Sequence, residues 1–149
     1  MNIEQIKNRS VADTIRAMCD AAENPTTKLD ADTFGEVKNG EKCGCFAFNL
    51  AERDFERILT NEEIETWDSR TSAVGVVRDW FIDYQLAINS LRWGDLANYN
   101  YWANLAGLQL IPDEFLDYEL PWLKTDFTPA QLEEYRKFAD VLDAPCGSR

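Results

Sequence analysis

Cys43-Gly44-Cys45 is the densest group of reactive side chains in the chain. Chemistry there would be metal binding or thiol–disulfide exchange. A structural zinc site takes four ligands, usually as paired knuckles. Histidine is absent from all 149 residues, so a zinc site would have to recruit Cys19 and Cys146 from opposite ends of the sequence. A redox dithiol has two intervening residues at a helix start. Here the helix-start setting is right, but only Gly44 intervenes. The pair therefore reads as small residues packing a helix start, with no metal and no cofactor. Cys19 falls on the apolar face of a predicted helix and reads as core. Cys146 lies in Pro145-Cys146-Gly147-Ser148-Arg149 and reads as exposed.

Other chemistry finds little footing. The carboxylate pairs Glu62/Glu63, Asp113/Glu114 and Glu133/Glu134 are adjacent in sequence. Neighbours on a helix point about 100° apart, so these are not acid/base dyads. They read as helix N-terminal charge or solvated face. Two-carboxylate hydrolysis would need one pair chosen from 27 acids, and nothing selects it. The seven glycines are scattered, so no phosphate loop is present. No serine sits in a nucleophile elbow, and a serine or cysteine triad would lack its histidine base.

The charge and the rings are more telling. The formal charge is -12, split equally at -6 between residues 1–75 and 76–149. That argues against direct binding of nucleic acid or an anionic membrane, and towards a basic protein surface. Trp80, Phe81, Tyr84, Trp93, Tyr99, Tyr101 and Trp102 fall within 23 residues, and Phe115, Tyr118, Trp122 and Phe127 follow. Half or more should be core. Trp93 and Tyr101 flank the buried stripes. Residues 93–123 contain no lysine or arginine, which a stacking platform for single-stranded DNA would need. The expected partner-binding surface is Trp93, Asp95, Tyr101, Asp113, Glu114, Asp117, Tyr118 and Glu119.

The elements that must position these residues are helical. Ser10 caps a helix that buries Val11, Ile15, Met18, Cys19 and Ala22 and stops at Asn24-Pro25. Residues 24–42 are irregular, and Asn39-Gly40 leaves room for a short hairpin within 27–42. A second helix is expected from Gly44 to Leu59, with Ile58 in its stripe, and a short third from the Thr60–Glu63 capping box to Trp67. Residues 72–92 form a helix apolar nearly all round, hence central. Asp95 caps the next helix, which runs through Leu96, Tyr99, Trp102 and Leu105 and stops at Gly107. Pro112 starts a short helix, and Thr128-Pro129-Ala130-Gln131 starts the last, with Leu132, Tyr135, Phe138, Ala139 and Leu142 inward. The expected fold is all-α: one domain, 1–149, an irregular bundle of five or six helices.

Phe34-Gly35-Glu36 followed by Lys42-Cys43-Gly44-Cys45-Phe46-Ala47-Phe48 resembles a group of small uncharacterised bacterial and phage proteins. Those carry an aromatic loop and a Cys-Gly-Thr-x-x-Cys-Ile-Ala-Gly helix start. Cys45 stands for the threonine and Phe48 for the second cysteine, and the match covers about a third of the chain. The resemblance implies a bacterial, phage or mobile-element source and no particular activity.

The function expected is non-enzymatic: an acidic binder or inhibitor of a basic protein surface. From a phage it would be a DNA mimic that blocks a nucleic-acid-binding defence or regulatory protein. One alternative is a small-ligand domain or enzyme, its pocket lined by aromatics between the 72–92 and 95–106 helices. Another is a subunit that assembles with itself, a homodimer in the simplest case. No secretory signal and no apolar run of membrane length is present, so the expected location is the cytoplasm.

Overall fold

Short local signals place most of the elements. The computed structural model describes residues 1–30, 35–56 and 78–144. The expected helix after Thr60, the 72–77 start of the long helix, Phe34, Ile58, Leu59 and Cys146 lie outside them. Helix α1, Ile3–Asn8, opens on a reciprocal cap. The Gln5 amide donates to Asn2 Oδ1 at 2.9 Å, and the Asn2 amide donates to Gln5 Oε1 at 2.9 Å. Helix α2, Val11–Glu23, starts where the Asp13 amide donates to Ser10 Oγ at 3.1 Å. It ends at Asn24, before Pro25.

The expected all-α fold is corrected in the next stretch. The protein is mainly helical, but strands β1 (Lys28–Leu29), β2 (Gly35–Lys38) and β3 (Glu41–Gly44) form a mixed sheet in the order β1-β3-β2. Asn39 and Gly40 have φ of 52° and 79°, the paired positive values of a tight hairpin turn, so Lys38 pairs with Glu41. Strand β1 runs parallel to β3, with Lys28 opposite Cys43. Two residues carry no period of their own. They pair because Asn49 holds the chain just before them: the Thr27 amide donates to Asn49 Oδ1 at 2.9 Å.

Helix α3 is Phe46–Asp54, shorter than expected at both ends: Gly44 closes β3 and Cys45 precedes the first turn, while Phe55 is the C-cap and Glu56 turns to φ 55°. Helix α4, Arg78–Arg92, is followed by Gly94 at φ 75°. A Cβ there would stand 2.5 Å from the Leu120 carbonyl oxygen, so the turn needs glycine on both counts. Helix α5, Leu96–Ala106, is capped by Asp95, whose Oδ1 accepts from the Asn98 amide at 3.1 Å. After a single 3₁₀ turn at Asp113–Phe115, helix α6, Pro129–Asp143, begins on the Thr128/Gln131 capping box.

Helix α2 lies between α6 and α3, α3 packs on α4, and α4 packs on α5. Their shared core holds Ile15, Met18, Phe46, Phe48, Tyr84, Ile88, Leu91, Tyr99, Tyr135 and Phe138. Each such side chain contributes about 1.5–3 kcal/mol on burial. Helix α4 is central, as its composition implied, yet it also buries Gln85, Asn89, Ser90 and Arg92. The Arg92 guanidinium donates to Asn89 Oδ1 at 3.0 Å and to the Leu123 carbonyl at 2.8 Å, which satisfies a charge inside the fold.

Candidate functional site

From the end of α5 to α6 the chain runs as an irregular strap, and side chains pin its backbone. The Tyr99 hydroxyl donates to the Gln109 carbonyl at 2.9 Å. Asn100 makes two bonds to Ile111, one each way, both at 2.8 Å. The Tyr135 hydroxyl donates to the Pro121 carbonyl at 2.7 Å, and the Leu123 amide donates to the Arg92 carbonyl at 2.7 Å. Leu108, Ile111 and Leu123 point inward and are buried. Phe115 and Tyr118 rest against Phe138, with ring centroids 6.5 and 4.5 Å away. A strap held by its inward residues must present the others.

The outward residues are Asp113, Glu114, Asp117 and Glu119, all exposed, with Tyr118 and Trp122 among them. Asp113, Asp117 and Glu119 have no ion-pair partner among the described residues. Three arginines among the described residues are engaged elsewhere. Arg16 bridges Asp13, Asp140 and Asp143, and Arg136 bridges Asp20 and Glu23 along the α2–α6 seam. Arg9 is paired with Asp54. Beside the strap, Tyr118, Glu119, Glu134 and Lys137 line an open concavity of about 330 Å³.

The other expected site residues fall into different settings. Trp93 is half out of the surface, and the buried Arg92 guanidinium lies between its ring at 5.3 Å and that of Phe46 at 5.1 Å. It borders the strap through Gly94, which abuts Leu120. Asp95 is exposed but serves as the α5 cap. Tyr101 stands on the outer face of α5, edge-on to Trp102 at 4.9 Å. Trp122 is not among the expected site residues but stands out on the strap. It is 56% exposed with the Lys124 ammonium 4.7 Å above its ring, and its place between Pro121 and an inward Leu123 was the available signal.

Three of the four cysteines lie among the described residues. Cys19, Cys43 and Cys45 are buried free thiols, and no cluster of three or more potential metal ligands occurs among the described residues. Burial pushes the Cys19 thiol up to about 12. Burial also raises Cys45, against the bonds that would favour its thiolate. Native-state labelling of these thiols should therefore proceed only as the fold opens. Rapid labelling of Cys19 or Cys45 in the folded protein would refute their burial.

Three tyrosines add a pH dependence of known sign. Burial is the main cause of raised values at Tyr84, Tyr99 and Tyr135. Above their ordinary value of 10 the unfolded chain loses these protons while the folded protein keeps them. Stability is therefore whole below pH 10 and falls as pH rises past it, by up to about 1.4 kcal/mol per pH unit for each tyrosine. Tyrosinate absorbance should show three of the five tyrosines withheld until the helical signal collapses. Smooth ionisation of all five with the fold intact would contradict this.

Comparison with protein-family models, with the curated proteins and with the solved structures returns no match. Among the described residues no helix is long and apolar enough to cross a membrane.

Proposed function

We propose that this chain is a non-enzymatic binding protein whose acidic strap docks on a basic protein surface. One observation carries the reading. Asp113, Asp117 and Glu119 face solvent with no ion-pair partner among the described residues, on the same strap as the exposed rings of Tyr118 and Trp122, while Arg9, Arg16 and Arg136 are paired elsewhere. Unpaired carboxylates of one sign steer a partner of the other, and one or two exposed rings anchor it. The partner chemistry that fits is a lysine- and arginine-lined groove of the kind that holds nucleic acid. The protein would then act by occupying that groove.

The packing favours this over a ligand pocket between α4 and α5. Rings are packed there: Trp80 and Tyr84 stack along α4 at 5.2 Å, and the Trp80 indole donates to the Ala106 carbonyl of α5 at 2.6 Å. A reducing compartment such as the cytoplasm suits three buried cysteines that remain thiols.

The test is capture from the native host with elution by a salt gradient, followed by kinetics with the captured partner. Asp113→Lys, Glu114→Lys and Asp117→Lys together should slow association and flatten its salt dependence. The melting temperature should hold, because all three residues are exposed and none caps an α-helix. Duplex DNA should compete for the same partner. Undiminished binding of the triple variant at low salt would place the interface elsewhere.

A further inference from the structure

Helix α5 is apolar on two opposite faces. Leu96, Tyr99, Ala103 and Ala106 are buried against the core. On the other side Ala97, Tyr101, Asn104 and Leu105 face solvent, with Tyr101 58% and Leu105 52% exposed. Ala97, Tyr101 and Leu105 are four residues apart, so they form one continuous ridge. Residues 96–106 contain no charged side chain, in a chain of net charge -12. An outer helix face is ordinarily charged. Loss of charge together with an exposed aromatic is the composition of an interface centre.

The ends of the ridge are charged, and oppositely. Asp95 stands exposed at the N-terminus of α5. Lys7 stands at the C-terminus: its Cε is 3.3 Å from where a Cβ on Gly107 would lie, and the Lys7 carbonyl accepts from Gln109 Nε2 at 3.1 Å. Its own pairing with Glu4 is long, at 3.8 Å. A neutral ridge with an acid at one end and a base at the other is complementary to itself when reversed. A two-fold axis across the helix sets ridge on ridge, Asp95 opposite Lys7 twice over, and each helix dipole head to tail with its mate. A basic partner would find no carboxylate along the ridge, whereas a second copy would find no repulsion there.

We propose that α5 is the contact of an isologous antiparallel homodimer. Tyr101 of each copy lies near the two-fold axis, and Ala97 of each faces Leu105 of the other. This interface uses other residues than the acidic strap, and the sign of its salt dependence is opposite. Two chains at -12 repel, so added salt strengthens their association, whereas it weakens docking on a basic partner.

Sedimentation of the full chain over a concentration series should show a mass rising from 17.1 kDa towards twice that value, more readily at higher salt. Tyr101→Glu with Leu105→Glu should weaken association on the order of a hundredfold, the loss of two central anchors. The melting temperature should stay, since both side chains are exposed. In a Cys146→Ser background, Ala97→Cys with Leu105→Cys should be joined into dimers by a short bismaleimide far better than either single variant, because only the antiparallel pairing brings 97 to 105. A monomer at every concentration and salt would overturn the proposal. So would an undiminished dimer in the double-glutamate variant, or single variants that cross-link as well as the pair.

Discussion

Asp54→Ala is expected to destabilise the protein by about 3–5 kcal/mol, the usual result of removing one partner from a buried ion pair. Asp54 closes α3 with its side chain 3% exposed. Its two carboxylate oxygens accept from the Arg9 guanidinium at 2.7 and 3.0 Å, and the Tyr84 hydroxyl donates to Oδ2 at 2.8 Å. Arg9 also donates to Thr14 Oγ1 at 3.0 Å. Burial alone would lower the Arg9 pKa, and Asp54 more than offsets that, so the net direction is up. The group ties the α1–α2 junction, the end of α3 and α4 at one point. Without the carboxylate, a guanidinium that is itself 9% exposed loses its counter-ion, and a buried hydroxyl loses its acceptor. Urea denaturation should show the loss. The double variant Arg9→Met, Asp54→Leu should recover part of it, because no uncompensated charge then remains while the Tyr84 hydroxyl still lacks its acceptor. A single-variant cost below about 1 kcal/mol, the worth of an exposed pair, would mean that the site is wet.

Leu132→Ala should cost about 2–5 kcal/mol, since Leu132 is 1% exposed and its truncation leaves a cavity in the α2–α6 seam. The backbone at this residue touches α2: the Cys19 thiol lies 3.9 Å from the Leu132 carbonyl oxygen. Tyr135, Phe138 and Ala139 continue the same buried face, while Leu142 is only half-buried as the helix leaves the core. The ion pairs of Arg16 and Arg136 border the seam but are partly exposed, so Arg16→Ala should cost no more than about 1 kcal/mol. The contrast is the test. The denaturation midpoint should fall with an unchanged slope for Leu132→Ala and barely move for Arg16→Ala. A Leu132→Ala effect under about 0.5 kcal/mol, the range of surface substitutions, would show that the helix docks by another face.

The helix ends were legible because each is set by a few neighbouring residues. Ser10, Asp95 and the Thr128/Gln131 pair cap the helices they were expected to cap. The Asn2/Gln5 box uses the same local logic, but α1 spans only six residues, too few to show an apolar period. The stripe of α6 was legible for the same reason as its cap, since its inward residues recur at helical spacing. The strap was harder to read. Its acids and rings were visible as a segment without cations, but which of them face outward depends on Asn100, Tyr99 and Tyr135, which hold its backbone from other elements.

By itself, then, the sequence determined the caps of α2, α5 and α6, the stripes of α2 and α6, the Asn39-Gly40 turn, the overall acidity and the absence of histidine. These depend on residue type and on spacings of a few positions. The expected α5 stripe through Trp102 and Leu105 is wrong at Leu105, which is exposed, because Ala103 and Ala106 face the core instead. Tertiary structure decided the pairing of β1 with β3, which no local period encodes. It decided that Asp54, one acid among 27, is buried against an arginine 45 residues away. It also sorted the rings, placing Trp80 and Tyr99 in the core and Tyr101 and Trp122 outside, although all four are large aromatics on adjoining segments. Burial is a property of what packs against a residue, and for these residues that partner comes from a distant part of the chain.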